Sequence, residues 1–195
     1  MESDEVLVGI FGRIVRWKGQ LEFVQAVLKA VRVEPAIKAV IVGDESDSSR
    51  AYFDEVRNAI ETSGLKHHFI LAGFQQHVEQ YYAAVDIVVH ASIEPEPFGR
   101  VLVEGMAAGR AVIAADAGGP REVITHGVDG LLVQPGDVGG LANAIVKLAV
   151  DPDARSRLGS RGAATALRLA GIEAIAGRVM AESQRILGPS AADGR

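Results

Sequence analysis

Apolar residues in this chain fall into two alternating kinds of run. One kind is short and nearly continuous: VLVGIFG (6–12), IKAVIVG (37–43), HFILAG (68–73), DIVVHAS (86–92), AVIAAD (111–116) and GLLVQP (130–135). Each run is too short for a core helix and most are rich in Val and Ile, so each predicts a buried strand. The other kind is amphipathic. QLEFVQAVLKAV (20–31) places Leu21, Val24, Leu28 and Val31 on one helical face. Further helices are expected over Ser49–Thr62, at VEQYYAAV (78–85), over Val101–Ala108 and briefly from Pro120. The stretch from Val138 to Leu187 reads as helical, with breaks at Asp151-Pro152 and Ala170-Gly171. The tail GPSAADGR (188–195) carries no large apolar residue and is expected to be disordered.

Strands that are apolar throughout, alternating with helices, predict an α/β fold. The expected architecture is a Rossmann-like, doubly wound six-stranded parallel sheet with helices on both faces, forming one domain over residues 1–187. In such sheets ligands bind beyond the carboxyl ends of the strands, where the strand order reverses. The residues that follow each strand are therefore the place to look for chemistry.

Composition narrows the partners. The 195 residues are 48% hydrophobic and 23% charged, with a formal charge of −5 and no cysteine. A net negative chain is a poor partner for nucleic acid or an anionic membrane. The lack of cysteine excludes disulfides, thiolate metal sites and a Cys nucleophile. The opening MESDEV is not a signal peptide, and no apolar run approaches the roughly 20 residues that span a bilayer. A cytoplasmic protein without a transmembrane segment is the expectation.

Two segments carry candidate chemistry. After the first strand, FGRIVRWKGQ (11–20) gathers Arg13, Arg16 and Lys18 at the start of a helix. The helix dipole disfavours cations there, so the cluster is either a solvated basic turn or the seat of an anion held by side chains and free N–H groups. After the fourth strand comes SIEPEPFGRVLVEGMAAG (92–109). Pro95 and Pro97 keep Glu94 and Glu96 extended, and Pro97 suits the first turn of a helix beginning near Pro97 or Phe98. Gly99 leaves the backbone open to a ligand, which makes this a second candidate anion cradle. Glu104 follows Glu96 by eight positions, a helical rise of roughly 12 Å with a rotation of about 80°. Two carboxylates so spaced could grip the two ends of a ribose–diphosphate–sugar ligand, or Glu96 could cap the helix and Glu104 face solvent. Glu94, further back, reads as solvated or structural. Asp-Pro-Asp (151–153) reads as a turn and helix cap rather than a metal site. Of His67, His68, His77, His90 and His126, none has convincing ligand spacing. His90 reads as a strand-end histidine satisfied by its neighbours.

Together these segments resemble the C-terminal, donor-binding half of the retaining glycosyltransferases of the GT-B fold, family 4. The stretch GRIVRWKG is similar to that family's Gly-Arg-Leu-x-x-x-Lys-Gly segment, which implies that Arg13 and Lys18 bind a donor diphosphate. ILAGF resembles the strand end whose backbone contacts the base, implying Phe74 and Gln75. EPFGRVLVEGMAAG resembles the family's Glu-x7-Glu segment. Glu96 is thereby implied as the catalytic-site residue touching the transferred sugar and Glu104 as the ribose ligand. The backbone of Phe98, Gly99, Arg100 and Val101 would hold phosphate or sugar oxygens. DAGGPREVI matches the segment after strand five at Gly118, Gly119 and Glu122. The resemblance implies a UDP- or GDP-type sugar donor, metal-independent transfer without a cofactor, and a missing N-terminal acceptor domain as partner. The uncovered interdomain face would favour self-association of the isolated domain. A phosphorylase or epimerase half of the same fold, and a non-catalytic nucleotide-sugar-binding module, are the alternatives.

Overall fold

A computed structural model of the chain describes residues 5–170. Six strands form one sheet: β1 (Val6–Phe11), β2 (Ile37–Val42), β3 (Phe69–Gly73), β4 (Ile87–His90), β5 (Ala111–Ala115) and β6 (Leu131–Val133). All pairings are parallel and the order is β3-β2-β1-β4-β5-β6. This is the doubly wound arrangement that the alternating runs predict. The order reverses between β1 and β4, so their carboxyl ends flank a crevice.

The central strands are apolar throughout because both their faces are covered. All residues of β1, β4 and β5 are buried. β3 lies at an edge, and Ile70 and Leu71 are exposed there. On one face pack α1 (Gln20–Val31), α2 (Arg50–Thr62) and α6 (Val138–Ala149), with Phe23, Val27, Ile41 and Ile145 fully buried. On the other pack α3 (Val78–Ala84), α4 (Arg100–Ala107) and the end of α7 (Pro152–Ala170), around Phe11, Tyr82, Leu102 and Met106. A short α5 (Pro120–Val123) precedes β6.

The buried arc of α1 is wider than the expected stripe. Phe23, Val24, Ala26, Val27, Ala30 and Val31 are buried, whereas Leu21 and Leu28 are only partly so. The helix touches α2 and α6 as well as the sheet, so three surfaces cover it. The Asp-Pro-Asp turn caps α7 as expected, with Asp151 Oδ1 accepting from the Ala154 N–H at 2.8 Å. Helix beyond 170, its break at Ala170-Gly171 and the tail 188–195 lie outside the described residues. Among the described residues no helix is long and apolar enough to cross a membrane.

One buried polar contact ties the segment before β6 to α7. Asp129 accepts from the Thr125 N–H at 2.7 Å and from Thr165 Oγ1 at 2.9 Å. Asp129→Ala strips a partner from both donors inside the protein, so it should destabilise the fold by about 1–3 kcal/mol. Chemical denaturation reads this as a lowered midpoint; an unchanged midpoint would refute the assignment.

Candidate functional site

The crevice at the switch point holds two adjoining cavities. One, of about 410 Å³, lies beyond β1, β2 and β3; the other, of about 580 Å³, lies between the end of β1 and the start of α4. They share Gly12, Arg13 and Val78 in their walls. Phe74 and Gln75 line the first. Lys18, Glu96, Phe98, Gly99, Arg100, Val101 and Glu104 line the second. The ten residues that the resemblance implies as donor-binding thus surround one continuous cleft, with Arg13 between its two compartments.

The basic turn after β1 is divided in its loyalties. Arg16, Trp17 and Lys18 form one turn of 3-10 helix before α1. Arg16 points away from the cleft: its guanidinium pairs with Glu55 of α2 at 2.6 and 2.9 Å and lies over the Tyr52 ring. The start of α1 is also less available than expected, since the Leu21 N–H donates to Tyr52 Oη at 3.0 Å. An anion here would therefore be held chiefly by the Arg13 and Lys18 side chains.

Lys18 Nζ is 2.7 Å from Glu96 Oε1 and 2.8 Å from Oε2, in an ion pair whose side chains are 14% and 13% exposed. Glu96 has two further donors. His90 Nε2 lies 2.7 Å from Oε2, and Ser92 Oγ lies 3.2 Å from the same oxygen. The hydrogen bond from His90, and then the Lys18 ammonium, hold the Glu96 carboxyl down to about 2 from its ordinary 4.5, against the opposing effect of burial. A depressed carboxyl stabilises the folded state above its unfolded value and loses that contribution as pH falls through its folded value. The stability difference between wild type and Glu96→Gln should be flat from pH 5 to 8 and shrink from pH 4.5 towards 2. Denaturation midpoints across that range test it; a difference that grows on acidification would contradict the arrangement.

The helix in this segment starts later than Pro97. Gly99, at φ +68°, is the residue before α4, and the helix begins at Arg100. Glu96 is extended and forms a parallel bridge with Gly118, whose own φ is +62°; the Gly119 N–H donates to Glu96 O at 2.8 Å. A Cβ at Gly118 would stand 2.6 Å from Glu96 O, so the glycine lets this strand pair form under the carboxylate. The helical-rise argument from Glu96 to Glu104 therefore does not apply, because the two are not on one helix. They line the same cavity by different means: Glu96 from an extended lead-in, Glu104 from α4. Among the described residues no side chain caps α4; the Leu102 N–H donates to Gly99 O at 2.9 Å, which leaves the N–H groups of Arg100 and Val101, both lining the cavity, as the open start of the helix.

Glu104 Oε2 accepts from Tyr82 Oη at 2.8 Å, and Oε1 is 3.3 Å from the Arg100 guanidinium. Tyr82 is stacked on Phe11 with ring centroids 4.0 Å apart, and burial, followed by the Glu104 carboxylate, raises its hydroxyl. It therefore remains a donor that steadies Glu104. In the other compartment Phe74 is 73% exposed, and Gln75 donates to Ala72 O at 2.7 Å. Glu94 is exposed, in keeping with a solvated role, while Glu122 lies outside the cleft against Pro97 and Phe98.

Two further residues join the site: His90, read from the sequence as a satisfied strand-end histidine, and Ser92, which sequence reasoning passed over. The signal was their place at the carboxyl end of the strand beside the switch point. Their contact with Glu96 is made across a bend at Ile93–Glu94, which no spacing rule conveys. Among the described residues there is no group of three or more His, Asp or Glu side chains that could hold a metal ion.

The family profile for glycosyl transferases group 1 matches residues 2–165. The lipopolysaccharide core biosynthesis glycosyltransferase LpsE of Rhizobium meliloti is 31% identical over 160 residues, 82% of this chain and 44% of that protein. The crystal structure of Anabaena Alr3699/HepE in complex with UDP superposes with a TM-score of 0.87 at 34% identity, over 94% of this chain and 50% of that one. HepE has also been solved with UDP-glucose. The C-terminal domain of a glycosyl transferase group 1 family protein (LpcC) from Francisella tularensis superposes at 0.78 with 29% identity, over 86% and 87% of the two chains. The chain spans less than half the length of the curated relatives it matches.

Proposed function

Since this chain belongs to the glycosyl transferases group 1 family, as a C-terminal domain of its GT-B fold, we propose that its cleft binds the nucleotide-diphosphate-sugar donor of a retaining glycosyltransferase. The observation that carries this reading is the pairing of opposite chemistries along one cleft. Arg13, Lys18 and the free N–H groups of α4 supply positive charge at its centre, and Glu96 and Glu104 supply acceptors in its inner compartment.

The roles follow from that arrangement. The base occupies the compartment of Phe74 and Gln75, with its edge towards their backbone. Glu104, steadied by Tyr82, accepts from the ribose hydroxyls. Arg13, Lys18 and the backbone of Phe98 to Val101 hold the diphosphate. Glu96 accepts from a hydroxyl of the sugar being transferred. The bond that breaks joins the anomeric carbon to a diphosphate oxygen, which takes the electron pair; an acceptor hydroxyl oxygen bonds to the same carbon and its proton passes to the departing diphosphate. The cations and helix N–H groups are already in place to receive that charge, so the protein reorganises little as it develops. No metal or cofactor is assigned a part. The acceptor is supplied from a second domain facing the cleft, so the chain alone is expected to bind donor without transferring sugar.

UDP and UDP-glucose, found in the HepE structures, are the first probes; GDP-linked sugars are the second. Incubation of the whole polypeptide with each donor and an acceptor mixture, with anomeric analysis of the product by NMR, tests the proposal. The expected result is release of the nucleoside diphosphate and a product that keeps the donor's anomeric configuration. Inversion would refute retention. Phosphate-dependent cleavage, or donor epimerisation without transfer, would place the protein among the phosphorylases or epimerases.

A further inference from the structure

The two oxygens of Glu96 are not equivalent. Among the described residues Oε1 has a single partner, Lys18 Nζ. Oε2 has three: Lys18 Nζ, His90 Nε2 and Ser92 Oγ. Only one of the three, Lys18, is also assigned to a donor diphosphate. When an anion draws Lys18 away, Oε1 loses its only partner and Oε2 keeps two. His90 is suited to be the permanent one. It ends β4, the strand at the switch point, and its side chain is only 3% exposed. Its hydrogen bond is also the main cause of the low Glu96 carboxyl value.

We propose that His90 is a positioning residue, which anchors Glu96 by Oε2 so that Oε1 turns to the sugar once the diphosphate takes Lys18. The inference rests on the donor-site reading above. It requires that the imidazole carry its proton on Nε2, since a carboxylate oxygen can only accept. Nδ1 is buried and without a hydrogen-bond partner among the described residues; Nε2 has Ser92 Oγ at 3.1 Å as well as Glu96 Oε2 at 2.7 Å, and the carboxylate is the shorter contact. The free site is thereby held closed: Lys18 and Glu96 neutralise each other until a ligand supplies both a phosphate for the lysine and a hydroxyl for the carboxylate.

Two variants and one spectrum test this, on the 195-residue chain with UDP and UDP-glucose as probes. His90→Phe fills the same space without a donor; His90→Gln restores an N–H near the position of Nε2. His90→Phe should leave UDP affinity within about twofold of wild type and weaken UDP-glucose about tenfold, the loss of one hydrogen bond to a charged group. His90→Gln should recover most of that loss. Equal weakening of both ligands by both variants would mean a merely structural histidine, and wild-type UDP-glucose affinity in His90→Phe would mean no role at all. Nitrogen NMR of the wild-type ring gives a reading that needs no variant: an Nε2-protonated ring in free and UDP-glucose-bound chain is expected, and an Nδ1-protonated ring would overturn the inference. Failure of the wild type to bind either probe would overturn the donor site itself, which separates the two claims.

Discussion

Replacing Lys18 with Ala should lower kcat/KM of the whole transferase by about a thousandfold and weaken nucleoside diphosphate binding about 10–100-fold. Two effects act together. The variant removes the cation nearest the diphosphate. It also leaves the Glu96 carboxylate in place, ionised and held only by His90 and Ser92. That second charge would face an incoming dianion at close range, where like charges repel strongly. The double variant Lys18→Ala/Glu96→Gln should therefore bind UDP better than Lys18→Ala alone, because it removes the repulsion but restores no cation. Such non-additivity is expected of residues in direct contact. Lys18→Arg should retain a substantial part of the affinity. Calorimetric titration of the variants measures these constants, and a Lys18→Ala protein that binds UDP like wild type would remove the lysine from the site.

The second large effect separates the two acids. Glu104→Ala should weaken UDP and UDP-glucose alike, about 10–100-fold each, since a ribose hydroxyl is common to both. Glu96→Ala should abolish the gain from the glucose moiety and leave UDP bound as tightly as in wild type or more tightly, because Lys18 is no longer paired. Thermal denaturation controls for structure: loss of Glu104 leaves the buried Tyr82 hydroxyl without its acceptor, so some destabilisation accompanies that variant. If the two variants discriminate between the ligands in the opposite sense, the assignments of sugar and ribose ends are reversed.

The strands and helices were legible because parallel strands covered on both faces are apolar throughout and the helices between them are not. Gln20–Val31 was placed to the residue, since Gly19 at φ +73° ends one turn and opens the next. The site residues were legible through their position after strands and their resemblance to a known segment. The Glu96–Glu104 spacing failed because helix geometry was carried past the helix. Glu96 was measured along an axis that begins only at Arg100, and the contact of Glu96 with Gly118 comes from a long-range pairing that local sequence does not encode. Arg16 stood in a cluster read as either a solvated turn or an anion seat, and Glu55, on the next helix, takes it out of the cleft. His90 was read as a strand-end histidine satisfied by its neighbours, and it is; that one of those neighbours is Glu96, six residues on, was not legible.

The most direct measurement is a titration of UDP, and in parallel GDP, into this chain, followed by amide NMR. The expected result is saturable binding at millimolar concentration or below. Shifts should be confined to Arg13, Lys18, Phe74, Gln75, His90, Glu96, Glu104 and the Phe98–Val101 turn, with the amino ends of the strands unmoved. A folded sample whose spectrum is unchanged by either nucleotide at millimolar concentration, or changed only away from the cleft, would contradict the donor-binding function.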